Sequence, residues 1–226
     1  MPAKAATRAD EIYARLRADI LNGRLRPTQR LQFGELSRRY DASVGVLREV
    51  LFRLAEQGLV SAEPQLGFRV VALSEEDLVH LIEARVAIET ILVRQAIEHG
   101  DLSWESAIVA AHHTMARIPT LTPDGEANPE WLDAHARYHQ ALLSASPNRR
   151  LRVIADGIRD ADQLYRAWAG SLPKTEERTV AKEHRQILEA VLARDIDQAV
   201  RLLAGHIEAS KHLRAACVRA AVAEHN

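Results

Sequence analysis

Four histidines in the second half of the sequence lie on helical faces that are otherwise apolar. His135 and His139 are four residues apart and therefore share one face of a helix. His184 and His206 follow the apolar spacing of two later segments in the same way. Burying imidazole rings without partners is costly, whereas one divalent metal ion satisfies several rings together. The spacing alone is compatible with two interpretations, a metal centre or four separate, hydrogen-bonded core histidines.

The chemistry of this site follows from its four neutral nitrogen donors. Such a set suits zinc first, with nickel, copper or cobalt as alternatives, because magnesium and calcium prefer oxygen ligands. An alternative function is a metal-dependent enzyme that activates a water molecule on the metal. The sequence lacks a His-Glu-x-x-His motif, and Glu183 would point about 100° away from His184 on a helix. Four protein ligands also leave little room for water and a general base, and a purely structural metal in an interaction module is a third alternative.

The elements that must position these histidines are helices. From residue 74 onward, apolar periodicity and capping residues predict helix after helix, and no strand pattern occurs. The predicted helices cover residues 74–99, 101–118, 130–144, 147–169, 174–193 and 195–221. Turn-forming residues break the chain at 120–129 and at 170–173. Residues 74–226 are therefore expected to form an all-helical antiparallel bundle.

The first 73 residues show a different pattern, with three short helices followed by two short strands. The first helix is predicted over 9–21, the second ends near Tyr40, and the third covers 44–57. The strands are predicted over 59–62 and 67–71. This order is a winged helix-turn-helix, in which the third helix fits the DNA major groove. The expected DNA contacts are Arg38, Arg39, Ser43, Arg48, Gly67 and Arg69.

Composition and charge limit the classes of protein to which this chain can belong. The net charge is −1, but residues 1–73 carry +4 and the remainder −5, so only the first part is expected to meet phosphate. The single cysteine, Cys217, excludes an internal disulfide and a cysteine zinc cluster. Neither a signal peptide nor a membrane span is recognisable, which makes the cytoplasm the expected compartment.

A longer motif set runs through the first part of the chain. It comprises Ile12-Tyr13, Leu16-Arg17, Ile20-Leu21-Asn22-Gly23-Arg24-Leu25-Arg26-Pro27, Glu35-Leu36-Ser37, Leu47-Arg48-Glu49-Val50-Leu51, Leu54, Gly58-Leu59-Val60 and Gly67-Phe68-Arg69-Val70. With these residues, segment 10–71 resembles the DNA-binding domain of GntR-family regulators. The resemblance implies arginines at two base-reading positions, which here are Val44 and Gly34. Each arginine–guanine pair contributes about 1–3 kcal/mol of discrimination, so an atypical operator is expected.

The second part carries Arg85 and Glu89 at Arg-x-x-x-Glu spacing, Tyr138-His139 followed by Asn148, and then Glu183-His184 and His206. With these residues, segment 74–221 resembles the FCD ligand-binding domain of the FadR branch of that family. The resemblance implies a homodimer, a metal held by one carboxylate and three histidines, and an arginine, here Arg85, that helps to hold a carboxylate effector. The carboxylate position is His135 in this chain.

Together these observations predict a ligand-responsive bacterial transcription regulator rather than an enzyme. It is expected to bind operator DNA as a dimer and to sense a small carboxylate at a metal site. Because His135 removes one negative charge from the usual ligand set, the site should favour an anionic effector more strongly. Domain boundaries are expected at 1–73 and 74–226.

Overall fold

The computed structural model describes residues 7–63, 65–168 and 174–223. The chain divides into two units, Met1–Leu73 and Ser74–Asn226. The described residues of the first unit form α1 (Arg8–Leu21), α2 (Phe33–Tyr40), α3 (Val44–Glu56), β1 (Val60–Glu63) and β2 (Gly67–Val70). Those of the second form α4 (Glu75–His99), α5 (Leu102–Arg117), α6 (Pro129–Leu143), α7 (Arg149–Trp168), α8 (Lys174–Leu192) and α9 (Ile196–Ala223).

Helix α1 begins and ends at local signals in the sequence. Thr7 and Asp10 form a capping box, in which each side chain accepts a hydrogen bond from the other residue's backbone N–H. The chain leaves the helix through Gly23, which has a φ of 74°, a conformation that glycine adopts without strain. The apolar face of α1 packs against α3, so that both helices bury their leucines and isoleucines in one core.

Helices α2 and α3 form the predicted helix-turn-helix. Asp41 ends α2 in a left-handed conformation, and the Ser43 hydroxyl caps α3 by accepting a hydrogen bond from the N–H of Val46. The side chains of Leu47, Val50, Leu51 and Leu54 are fully buried. This burial leaves the N-terminal end of α3 outward, as a groove-reading helix requires.

The wing is an antiparallel pair, with Val60 opposite Val70 in β1 and β2. Segment 28–31, expected as a loop, hydrogen-bonds along the other edge of β2 and so covers that edge. Phe68 of β2 packs edge-on against Phe33 and Phe52, and joins the wing to the helices. Pro64, in the predicted turn between the strands, lies outside the described residues.

The described residues of the C-terminal unit form six helices, and the connections between them contain one short bridge. Helix α4 packs against α6, α7 and α9, and α8 packs against α5 and α9, so the inner faces of α6, α8 and α9 meet. The connection before α6 contains a bridge between Leu121 and Ala127, which the sequence did not predict. The predicted break at 170–173 lies outside the described residues. No helix in the described ranges is long and apolar enough to span a membrane.

Candidate metal centre

The four predicted histidines converge in the second unit. His135 and His139 come from α6, His184 from α8 and His206 from α9. All four side chains are buried, and one ring nitrogen from each lies within 4.8 Å of the others. The structure therefore brings together residues that are up to 71 positions apart in the sequence (135 to 206).

The arrangement suits a metal ion bound by nitrogen. With Zn–N distances of about 2.0–2.1 Å, two ligands of a tetrahedral site are about 3.4 Å apart. The Nε2 atoms of His139 and His184 are 3.4 Å apart. Nε2 of His135 and Nδ1 of His139 are buried and have no hydrogen-bond partner among the described residues. Buried ring nitrogens without a partner are unfavourable unless a ligand satisfies them.

Two contacts outside the histidine set fix the orientation of its rings. Nδ1 of His206 lies 2.7 Å from Oε2 of Glu183, a geometry in which Nδ1–H donates to the carboxylate and Nε2 remains free as a ligand. The buried hydroxyl of Tyr138 donates to the backbone carbonyl of His184 at 2.9 Å, and ties α6 to α8 beside the site. The contact between Glu183 and His206 could not be read from the sequence.

Burial controls the protonation of these histidines. It holds the pKa of His135, His139 and His184 well below the ordinary value of histidine, and the mutual repulsion of the protonated rings acts in the same direction. The pKa of His206 is also lowered by burial, although the Glu183 carboxylate opposes the shift. Neutral rings carry the lone pairs that metal coordination requires.

Arg85 lies in a cluster of charges next to the histidines. Its Nε donates to Oε1 of Glu89 at 2.7 Å, and its Nη1 lies 2.9 Å from Oδ2 of Asp162. Asp162 also pairs with Arg166 at 3.3 Å and, at short range, with Arg214. The i,i+4 pair of Arg85 and Glu89 predicted from the sequence is present, but it is one edge of a network that spans α4, α7 and α9.

This cluster carries a surplus of positive charge. Three arginines share two carboxylates, and Nη2 of Arg214 has no partner within the described ranges. Burial and the charge of Arg85 lower the pKa of both Arg166 and Arg214 to about 9. Both arginines remain charged at neutral pH, so an anion nearby would be stabilised.

A cavity of about 430 Å³ opens onto the centre. Its lining includes His184 and His206 together with Arg166 and Arg214. His112 is half-buried in the same lining. The sequence did not single out Arg166 and Arg214 because no motif marks them, and only their inward helical positions could have drawn attention to them. Arg85 lies deeper and borders a much smaller space behind His135 and His139.

The predicted DNA contacts lie in the first unit. The side chains of Arg38, Ser43 and Arg48 are exposed, and the guanidinium of Arg48 lies 5.6 Å from the centre of the Phe33 ring. At the two positions where the GntR resemblance implies arginine, Val44 is 46% exposed and Gly34 has open space where a side chain would begin. Both positions at which the resemblance implies a base-reading arginine are therefore accessible at the surface.

The remaining predicted contacts have internal partners. Arg39 donates to Oδ2 of Asp19 at 2.7 Å and therefore stabilises the domain besides offering charge. Arg69 on the wing donates to the carbonyl of Thr28 at 3.1 Å and lies 3.6 Å from Glu63. Gly67 has a φ of 90°, which only glycine adopts readily at the wing turn.

Comparisons with known proteins place the chain in a family. Residues 8–70 match the model of bacterial regulatory proteins of the gntR family, and residues 80–209 match that of the FCD domain. The chain is 32% identical over 200 residues to the HTH-type transcriptional regulator BphR of Paraburkholderia xenovorans, covering 88% of this chain and 81% of BphR. It is 30% identical over 198 residues to the HTH-type transcriptional repressor GlaR of Escherichia coli, covering 86% and 90% of the two chains.

Solved structures share the fold. A GntR regulator from Rhodococcus sp. RHA1 superposes with a TM-score of 0.74 at 22% identity, covering 91% of this chain and 96% of its own. Escherichia coli McbR/YncC gives a TM-score of 0.75 at 18% identity, covering 90% and 95%. These likenesses confirm a winged helix-turn-helix followed by a helical domain. The chain is a DNA-binding transcription regulator of the GntR family with a C-terminal FCD domain.

Proposed function

We propose that this regulator senses a small carboxylate at a metal ion in its C-terminal domain and transmits the signal to operator DNA as a homodimer. The observation that carries the proposal is the meeting of four buried imidazoles beside a cationic cluster and an open cavity. A ligand that is both metal-binding and anionic would satisfy both features at once.

The metal is held by His135, His139, His184 and His206 in this proposal. Zinc is the first candidate because it accepts four nitrogen ligands, with nickel and other late divalent transition metals as alternatives. When bound, the metal supplies a Lewis-acidic centre that attracts a carboxylate oxygen. The protein holds the rings neutral by burial, and Glu183 orients His206 toward the centre.

The charge of the site supports an anionic effector. The four neutral imidazoles leave the metal's two positive charges to be offset in part by the Glu183 carboxylate beside His206, and the arginine cluster adds one more positive charge. Arg85 contributes to the positive charge of the site, but its two described partners are carboxylates of the protein. Its part in effector binding therefore also includes holding Asp162, which shares its charge with Arg166 and Arg214.

The DNA side of the proposal rests on the helix-turn-helix. Arg38, Ser43 and Arg48 contact the groove and phosphates, Arg39 supplies phosphate contact from α2, and Gly67 and Arg69 shape the wing. Two copies would present their recognition helices to two half-sites, and effector binding would change the spacing of these helices. Thermodynamic reciprocity then requires DNA to change effector affinity by the same factor.

Regulation is favoured over the metalloenzyme alternative. The family and the names of the relatives are those of transcription regulators.

The test combines metal analysis with a ligand screen. Purified protein should contain about one equivalent of a transition metal per chain, the number that one tetrahedral site holds. A panel of carboxylic acids should include members that raise Tm, and chelation should abolish that rise. The same acids should change the affinity for a palindromic operator fragment in a mobility-shift assay. A metal-free protein with an unchanged acid response would refute the proposed site.

A further inference from the structure

The cavity beside the metal centre has walls of two different kinds. Its charged side chains, Arg166, Glu183, Arg185 and Arg214, come from α7, α8 and α9. The wall formed by α5, segment 118–128 and the start of α6 contributes described residues that carry no Lys, Arg, Asp or Glu. It is built mainly from apolar side chains such as Met115, Ile118, Leu121 and Trp131.

The size of the cavity exceeds what a small acid needs. A volume of about 430 Å³ lies within the range of pockets that enclose drug-sized ligands. A short dicarboxylate bound at the metal would leave most of the apolar wall in contact with water. Covering that wall with a hydrophobic group of the ligand is favourable, because it removes apolar surface from water.

The distribution of charge argues against a second carboxylate on the ligand. One carboxylate can reach the histidines, Arg166 and Arg214. A second one directed toward Met115, Ile118 and Leu121 would meet apolar side chains, and burying an unpaired carboxylate is strongly unfavourable. The third cation of the lining, Arg185 of α8, is exposed, and its charge, after burial, lowers the pKa of His112 in α5. The charged and apolar walls together select for one acidic group and one hydrophobic group.

The apolar wall is held in place by its own hydrogen bonds. The N–H of Thr122 donates to the carbonyl of Glu126 at 2.8 Å, and the N–H of Asn128 donates to that of Thr120 at 2.9 Å. The amide of Asn128 also donates to the carbonyl of Pro119 at 2.8 Å, while its oxygen caps α6. A wall that is ordered before binding costs less entropy when a ligand packs against it.

We propose, building on the proposed carboxylate effector, that the natural ligand is an amphipathic monocarboxylate with an aryl or branched alkyl body. Its carboxylate lies at the metal centre with Arg166 and Arg214. Its body packs against Met115, Leu121 and Trp131. The site discriminates against short dicarboxylates.

Calorimetric titration of the metal-loaded full-length protein tests this with three probes: 3-phenylpropionate, glutarate and 3-phenylpropan-1-ol. We expect 3-phenylpropionate to bind about tenfold or more tightly than either of the others. Leu121→Asn removes apolar contact without adding charge, and it should weaken binding of 3-phenylpropionate by a similar factor while leaving glutarate binding unchanged. Leu102→Asn, which changes a 76% exposed leucine of α5 outside the cavity lining, is the matched control and should change neither.

The outcomes separate this inference from the proposed function. Tighter binding of glutarate than of 3-phenylpropionate would overturn the amphipathic ligand and leave the carboxylate effector intact. Equal binding of the alcohol, or no binding of either acid to the metal-loaded protein, would overturn the carboxylate effector and this inference with it.

Discussion

Glu183 and His206, from the adjacent helices α8 and α9, are joined by a 2.7 Å contact between Oε2 and Nδ1. Glu183 is itself next to a second candidate ligand, His184, in the sequence. In the proposed metal centre, α8 would thus supply His184 as a ligand, and the preceding residue, Glu183, would orient His206. The contact would make metal binding depend on the packing of α8 against α9.

Replacing Glu183 by glutamine should weaken metal binding without removing a ligand. Loss of the carboxylate frees His206 to rotate and lowers its basicity, and partners of this kind contribute about 10–100-fold in metal affinity. Competition with a chromophoric chelator measures the change. Glu189→Gln, at an exposed position of the same helix, is the control and should match the unmodified protein. Equal metal affinity of the two variants would show that the contact with Glu183 does not tune the site.

Replacing His135 by aspartate should leave metal binding intact and weaken binding of the effector. The substitution introduces the carboxylate that the FCD resemblance implies at this position, so the site gains one negative charge. Because the effector is proposed to be anionic, its affinity should fall while metal content stays near one equivalent, as a single site requires. Metal analysis and calorimetry together give the answer. If metal content and acid affinity are both unchanged, His135 has no role in the centre.

Asp162→Asn should strongly destabilise the C-terminal domain. Arg85, Arg166 and Arg214 all lose their shared counter-charge, and removal of one partner of a buried ion pair costs about 3–5 kcal/mol. Thermal or urea unfolding of the full-length protein measures the loss. Asp156→Asn serves as the control because Asp156 is 47% exposed where it pairs with Arg159. A similar small effect of both substitutions would mean that the cluster is hydrated and not a buried network.

Val44→Arg should strengthen DNA binding and change its sequence preference. Val44 is the first residue of the recognition helix and is 46% exposed, so an arginine fits and can reach base edges. A new arginine–guanine pair should contribute about 1–3 kcal/mol at a cognate base. Mobility-shift assays against a randomised operator measure both effects. Val153→Arg adds the same charge at a 61% exposed site in the other unit, and an equal gain there would indicate nonspecific attraction.

The stability of the N-terminal unit should depend on the ionisation of Asp19. Burial alone would raise the pKa of Asp19, but hydrogen bonds from Tyr40 and Arg24 and the charge of Arg39 outweigh it and hold the pKa below 3.8. The carboxylate therefore stabilises the fold at neutral pH, and this stabilisation is lost as the pH falls below 3.8 through the folded-state pKa.

Unfolding curves of Asp19→Asn and the unmodified protein measure this effect across the pH range. The two proteins should differ in Tm at pH 7 and converge in acid. Asp41→Asn, which changes a fully exposed carboxylate, should follow the unmodified protein throughout. A Tm difference for Asp19→Asn that does not shrink in acid would contradict the assignment of the effect to the ionised carboxylate.

The sequence by itself determined the local elements and the family. Apolar periodicity, the caps Ser43 and Ser74, and turn-forming glycines are short-range signals, and they predicted the described helices and strands to within a few residues. The same periodicity identified four inward-facing histidines, because the 3.6-residue repeat records which side of a helix is buried.

Only the tertiary structure decided which inward-facing groups meet. Periodicity within one helix carries no information on how helices cross, and so it could not join Glu183 to His206 or bring Arg214 of α9 to Asp162 of α7. The same limit hid the position of His112 in the cavity lining, which depends on the packing of α5 against α6 and α8. Side chains that are distant in sequence become one site through the helix–helix packing of the whole domain.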